Sequence, residues 1–234
     1  MLQSHLIAEN LARVRDRIAD AAQAVGRDPA SIRLVAVSKY VDAATAAELV
    51  AAGCADLGES RPQELWDKAA SPQLAGVHWH LIGRLQRNKV RRTLPLVDLI
   101  HSVDSERLLA AIDEQAAALE TTSRVLLEVN CTGEAAKQGF APDEVRRLLP
   151  ALGKLSHLRV EGLMTMAPLE GDLADARAAF AALRTLRDEL APACPPAVSL
   201  NELSMGMSGD FEAGIAEGAT IVRIGSLLFE GVAK

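Results

Sequence analysis

The chain has 234 residues, of which 49% are hydrophobic, 3% aromatic and 24% charged, and its 25 Lys+Arg against 31 Asp+Glu leave a formal charge of −6. A chain this long and this apolar buries a core that offsets its ordering entropy, which excludes disorder, and the mildly acidic balance gives no pull towards nucleic acid or an anionic membrane. The N-terminal MLQSHLIAEN has neither a basic n-region nor an apolar h-region, no run approaches spanning length, and Cys54, Cys131 and Cys194 are odd in number and far apart, so reduced thiols in a cytoplasmic protein are expected.

Residues 3–25 place Leu6, Leu11, Val14, Ile18, Ala22 and Val25 at the spacing of an amphipathic helix. Eight short β-branched runs follow: Ile32–Ser38, Ala55–Gly58, Val77–Ile82, Leu96–His101, Arg124–Asn130, Leu158–Met164, Val198–Leu203 and Thr220–Ile224. Between them lie helix-like segments at 43–53, 62–70, 84–92, 104–119, 142–153, 172–190 and 208–217, several opened by turn or cap residues such as Asp104-Ser105 and Pro142-Asp143. Strand then helix, repeated, means βαβ units and a parallel sheet. Eight repeats in about 200 residues predict an α/β fold, a (β/α)₈ TIM barrel at the small end of its range, as one domain over 1–234. Only Gly225–Lys234 follows the eighth run, so the N-terminal helix is expected to take part of the eighth helix's place. A doubly wound open sheet is the rival architecture, but no GxGxxG follows the first strand.

In such a barrel the chemistry sits at the carboxyl ends of the strands. Lys39 closes the run Leu-Val-Ala-Val-Ser-Lys, and strand alternation puts it on one face with Val35 and Val37. Two readings stand: a strand-end lysine reaching solvent, or a partly desolvated amine available for Schiff-base chemistry. Arg223 lies inside Thr-Ile-Val-Arg-Ile-Gly, where a guanidinium demands a partner. That partner is either a barrel carboxylate such as Glu128 or Glu202, or a ligand. Ser208-Gly209 is expected to open the helix after the seventh strand, and Gly225-Ser226 follows the eighth. Serine as a plain helix cap accounts for Ser208 taken alone. Backbone N–H groups with hydroxyls beside them also make a phosphate cup, and barrels often place one beside the last two strands. An amine on strand one, a guanidinium on strand eight and a phosphate cup between strands seven and eight together suggest pyridoxal phosphate.

The segments LVAVSKY, GES-RPQE, HWHLIGRLQRNK, HSVDS, LLEVN…GEAAKQGF, GLMTMAP, LSMGMSGDFEAGIAEGAT and VRIGSLLFEG, in this order from about residue 30 to 231, resemble the pyridoxal phosphate homeostasis protein family. The resemblance implies a fold like the barrel domain of alanine racemase, and pyridoxal 5′-phosphate held in aldimine linkage by Lys39. It also implies phosphate binding at Ser208, Gly209 and the Gly225-Ser226 turn, with Arg223 facing the pyridine nitrogen. Gly58-Glu59-Ser60 departs from the family's frequent Gly-Glu-Asn, so Ser60 receives no role.

The implied function is cofactor binding and supply, without an established turnover. The implied partners are the cofactor, amino acids and apo-enzymes that use it, with a monomeric protein expected. The alternative is a racemase or lyase acting on amino acids. A two-base racemase is disfavoured, because Tyr40, the one tyrosine, neighbours Lys39 and by alternation points to the other face. A metal-dependent hydrolase is a further class: His78, His80, His101, Glu59 and Glu128 are suitable ligand types, although core or rim histidines bonded to backbone explain them as well. The basic run Arg84, Arg87, Lys89, Arg91 and Arg92 reads as a solvated helix face, and Lys137-Gln138-Gly139 as a loop that either closes over a ligand or merely connects.

Overall fold

The β-branched and leucine-rich runs form eight parallel strands: β1 (Arg33–Val37), β2 (Asp56–Glu59), β3 (His78–Leu81), β4 (Leu99–Val103), β5 (Ser123–Glu128), β6 (Leu158–Met164), β7 (Val198–Ser204) and β8 (Ile221–Ile224). In the computed structural model, which describes residues 2–134 and 138–232, the strands pair in chain order. The sheet closes where β8 meets β1, in register from Arg33↔Ile221 to Ala36↔Ile224. The eight strands predicted from periodicity are thus all present, and the closed barrel with them. Lys137 lies outside the described residues.

Around the barrel run α1 (Leu2–Ala24), α2 (Ala43–Ala51), α3 (Pro62–Ala69), α4 (Val90–Thr93), α5 (Glu106–Ala118), α6 (Pro142–Leu152), α7 (Leu173–Leu190) and α8 (Phe211–Ala216). Asp42 and Asp172 cap α2 and α7 by accepting the N–H of Thr45 and of Ala174 and Asp175, and Pro62 and Pro142 open α3 and α6 where a missing N–H costs nothing. Strand alternation sorts the side chains into two layers. Ala36, Leu57, Leu81, Val125, Leu127 and Val222 point outward into the main core against the helices, while Val35, Leu99, Leu126, Met164 and Ile221 form a separate cluster inside the barrel. Burial of each leucine or isoleucine in the outer layer contributes roughly 1.5–3 kcal/mol.

The first helix stands where the sequence reading expects it. α1 buries Ile7, Leu11, Val14, Ile18 and Ala22 and packs on α8, on α2 and on the 3-10 turn Ser226–Phe229, which is the eighth helix's place. Asn10 ties it there, donating from Nδ2 to the carbonyls of Leu228 at 3.2 Å and Glu230 at 3.0 Å.

The segment 84–92 is a correction. It is not one helix but a loop, a 3-10 turn Arg87–Lys89 and the single turn α4. Its buried anchors are Leu85 and Val90, five residues apart, a spacing that does not share a helix face, so packing overrides the helix propensity of Arg and Lys. Among the described residues no helix is long and apolar enough to cross a membrane.

Candidate functional site

At the carboxyl end of β1 the strand stops at Val37, and Ser38 is held at every polar atom. Its N–H donates to Gly58 O, its Oγ donates to Glu59 Oε1 at 2.7 Å, and its carbonyl accepts from the Val41 N–H at 3.0 Å and from Lys68 Nζ at 2.7 Å. Lys68 also reaches Glu59 Oε1 at 2.5 Å, a buried ion pair between α3 and β2. The Ser38–Val41 turn this creates carries Lys39 and Tyr40 as its two central residues. Strand alternation therefore does not extend to them. Tyr40 is not turned to the other face: its ring lies 4.8 Å from Lys39 Nζ, and both side chains line the same cavity.

That cavity, about 610 Å³, lies over β1, β7 and β8. Its apolar walls include Val37, Ile82, Met166 and Met207, and Lys39, Ser208, Gly209, Arg223, Gly225 and Ser226 all line it. The structure thus brings together all six residues that the sequence reading singled out.

Arg223 forms the floor. It is 4% exposed, and neither Glu128 nor Glu202 pairs with it: Nη1 donates to Ser204 Oγ at 2.5 Å and Nη2 to the Thr165 carbonyl at 3.0 Å. Glu202 instead accepts from the Thr220 hydroxyl and stands 3.9 Å from Arg33. Burial pulls the Arg223 guanidinium down to about 10, against the negative charges of Asp210 and Glu128, so it remains a cation at neutral pH. Burial, with Asp104 nearby, pushes Glu128 up to about 7. A buried cation whose acceptors are a hydroxyl and a carbonyl still has room for an acceptor from a ligand.

The turns after β7 and β8 are joined. The Gly225 N–H donates to Ser208 Oγ at 3.2 Å, so the Ser208 hydroxyl proton is left to donate elsewhere. Contrary to the expectation from sequence, Ser208 does not open the helix. α8 starts at Phe211, and Ser208-Gly209 sit in the preceding turn, where the Met207 N–H bonds Asp210 Oδ1 at 2.6 Å. Gly206 makes that turn possible with φ +94°, and a Cβ there would stand 2.8 Å from Phe211 Cα. Ser226 begins the 3-10 turn beyond Gly225 and is exposed.

The histidine and carboxylate set does not converge. His78 lies at the exposed amino end of β3 beside Asp98, and Glu59 faces outward to Lys68. His80 and His101 face inward, and their ring nitrogens bond side chains, not backbone.

A family model for the alanine racemase N-terminal domain matches residues 9–232. The pyridoxal phosphate homeostasis protein of Pseudomonas aeruginosa is 44% identical over 223 residues, 95% of this chain and 94% of that protein. The chain belongs to the pyridoxal phosphate homeostasis protein family. Among solved structures, PipY of Synechococcus elongatus with pyridoxal phosphate bound is 40% identical at a TM-score of 0.85, covering 95% of this chain and 99% of its own. Clostridium difficile alanine racemase shares the fold alone, at 17% identity and TM-score 0.73, with 56% of its chain covered.

For a member of this family the sequence reading passed over several residues. Ser60, Tyr40, Met166 and Met207 line the cavity, and Ser204 and Thr165 hold Arg223 from below. Ser204 carried a readable signal, since it ends β7 beside the strand that holds the arginine. Met166 and Met207 lie in loops, where no periodicity marks a direction.

Proposed function

We infer that this chain binds pyridoxal 5′-phosphate in the cavity over β1, β7 and β8 and acts in homeostasis of that cofactor. One observation carries the reading: a primary amine, a buried guanidinium without a carboxylate partner among the described residues, and two joined hydroxyl-bearing turns share a single apolar-walled cavity. The name and the bound ligand of the relatives support it. When bound, the cofactor supplies an electrophilic aldehyde and an electron-poor ring.

The chain's own residues divide the work. Lys39, on the turn clamped by Lys68 and Glu59, is the amine presented to the aldehyde. The Ser208 and Ser226 hydroxyls, with the backbone of Gly209 and Gly225, receive the phosphate. Arg223 donates to the ring nitrogen and keeps its own proton, so it withholds a proton from the ring and limits its capacity to accept electrons. Tyr40 shares Lys39's turn and so its wall of the cavity, not the opposite one that a second base would need. Both features favour holding and supplying the cofactor over turning over an amino acid. Cytoplasmic apo-enzymes that use the cofactor are the proposed recipients, amino acids are further ligands, and the chain acts as a monomer.

The test is the absorption spectrum of the purified protein, followed by borohydride reduction and peptide mapping. The expected outcome is yellow protein with a reduced pyridoxyl group on the Lys39 peptide. Label confined to another lysine, Lys137 included, rejects Lys39 as the anchor.

A further inference from the structure

Beneath the cavity floor the barrel interior holds more than its apolar cluster. From Arg223 on β8 an unbroken row of side-chain hydrogen bonds crosses the barrel to β2. Arg223 Nη1 lies 2.5 Å from Ser204 Oγ on β7, and Ser204 Oγ lies 2.8 Å from His101 Nδ1 on β4. His101 Nε2 lies 2.9 Å from His80 Nδ1 on β3, and His80 Nε2 lies 3.0 Å from Asp56 Oδ1 on β2. The two imidazoles meet edge to face, centroids 5.1 Å apart, and are 1% and 0% exposed. Asp56 is half-buried at the amino end of its strand, remote from the cavity mouth.

The two ends of this row fix the direction of every bond in it. A guanidinium only donates, so Ser204 Oγ accepts from Arg223. The Ser204 hydroxyl proton then goes to its other partner, which makes His101 Nδ1 the bare nitrogen. A neutral His101 carries its proton on Nε2 and donates it to His80 Nδ1. His80 in turn carries its proton on Nε2 and donates to Asp56, whose ionised carboxylate has no proton to donate. Burial works to raise the Asp56 carboxyl, and the His80 hydrogen bond with the positive charge of Arg33 outweighs it, leaving Asp56 below its ordinary value. Burial first, then His80 and Arg223, hold His101 well below the usual histidine range, so it stays neutral.

A serine hydroxyl is a rotor, and by itself it is a poor fixed acceptor because its own proton competes for the same space. Donation to His101 removes that freedom and leaves the Oγ lone pairs facing Arg223. A carboxylate in direct contact would also hold the guanidinium, but it would neutralise the charge and occupy the N–H groups. The relay supplies an oriented acceptor while its one formal negative charge stays at the far end of the row.

We propose that His101 and His80 are positioning residues for this site: through Ser204 they fix the Arg223 guanidinium so that its free donors stay turned to the ligand's ring nitrogen. The inference rests on the placing of Arg223 proposed above. It adds that the placing is imposed from the opposite side of the barrel, by residues that touch no ligand.

The test compares binding of pyridoxal phosphate with binding of its 1-deaza analogue, in which a C–H replaces the ring nitrogen. The parent protein is expected to prefer the natural ligand by about 10- to 100-fold, the worth of one hydrogen bond from a charged donor. His101→Phe and the smaller cut Ser204→Ala are each expected to bring that ratio to within about threefold of unity. His101→Gln, which keeps an acceptor for Ser204 and a donor for His80, is expected to restore most of it. Comparing these ratios between proteins cancels the analogue's different aldehyde reactivity, and taking each ratio within one protein cancels general loosening of the fold, which weakens both ligands alike. Imidazole ¹⁵N spectra of the parent protein need no variant: both rings are expected to carry the proton on Nε2 at neutral pH. A ring found with its proton on Nδ1, or undiminished discrimination in both cutting variants, overturns the inference alone. Equal affinities in the parent protein overturn the placing of Arg223, and this inference with it.

Discussion

The two halves of the barrel mouth offer cavities of similar size and opposite chemistry. Over β1, β7 and β8, about 610 Å³ is walled by apolar side chains and floored by one desolvated guanidinium. Beyond β3, β4 and β5, two clefts of about 520 and 700 Å³ are both lined by Arg84 and Arg107 with Asp104 beside them; Arg87 joins in the smaller, Glu106 and Glu144 in the larger. The second half has more cations, yet they are exposed to solvent and interleaved with carboxylates, so each is screened. What equips the first half is removal from water: a charge that has lost its solvent and has no carboxylate in contact keeps room for an acceptor that enters. Volume does not separate the halves. Solvation does.

The sharpest separation comes from Lys39→Ala, expected to abolish the visible absorption and the borohydride label, while Arg87→Ala in the other half leaves both unchanged. Loss of colour in both variants would mean that the halves act as one site. Next is Lys68→Met, which strands the fully buried Glu59 carboxylate and removes one of the two donors to the Ser38 carbonyl beneath Lys39. Breaking a buried pair costs about 3–5 kcal/mol, read as a fall in the urea midpoint, and adding Glu59→Gln is expected to recover much of it. A double variant no more stable than the single one would show that the ion pair is not the cause.

Glu128→Gln gives a pH-dependent effect. The folded carboxyl at about 7 lies above its ordinary 4.5, so the folded protein keeps a proton that the unfolded chain releases. That contribution is complete below the unfolded value and is lost as pH rises through the folded one. Relative to the parent, the variant is expected to gain roughly 3 kcal/mol between about pH 4.5 and pH 7.5, measured by urea unfolding at each end. A stability difference independent of pH would place Glu128 in contact with solvent. A further separation comes from Ser208→Ala with Ser226→Ala. Each lost hydrogen bond to a charged group is worth about 1.5–3 kcal/mol, and pyridoxal phosphate is expected to weaken while pyridoxal does not. Equal weakening of both ligands would remove the phosphate assignment from these turns.

Much of this was legible in the chain because local and global preferences agree. Val198–Leu203 is bounded by Pro195-Pro196 and by a turn, and Leu158–Met164 is a strand in the structure with the very bounds that its periodicity predicts. Lys39 and Arg223 stood out because a charged group in or at the end of an apolar run has few explanations. What stayed hidden depends on partners far along the chain. Strand alternation was carried to Tyr40, yet the strand ends earlier because Lys68 and Glu59 bend the chain at Ser38. The histidines read as metal-ligand types or as core or rim residues bonded to backbone, because their spacing does not show that β3 and β4 bring the rings of His80 and His101 together, nor that Ser204 stands next to both His101 and Arg223.

The closing seam between β1 and β8 carries a consequence for how the protein is made. It joins residues as far apart as Arg33 and Ile221, and α1 is tied to carbonyls at Leu228 and Glu230. On a growing chain Lys39 appears long before Arg223, so the sheet stays open, with two unpaired edges, until β8 has been made. Until then the Lys39 amine stands without the Arg223 floor and the Gly225-Ser226 turn that share its cavity. A chain interrupted before β8 lacks both the seam that closes the barrel and the Arg223, Gly225 and Ser226 wall of the cavity.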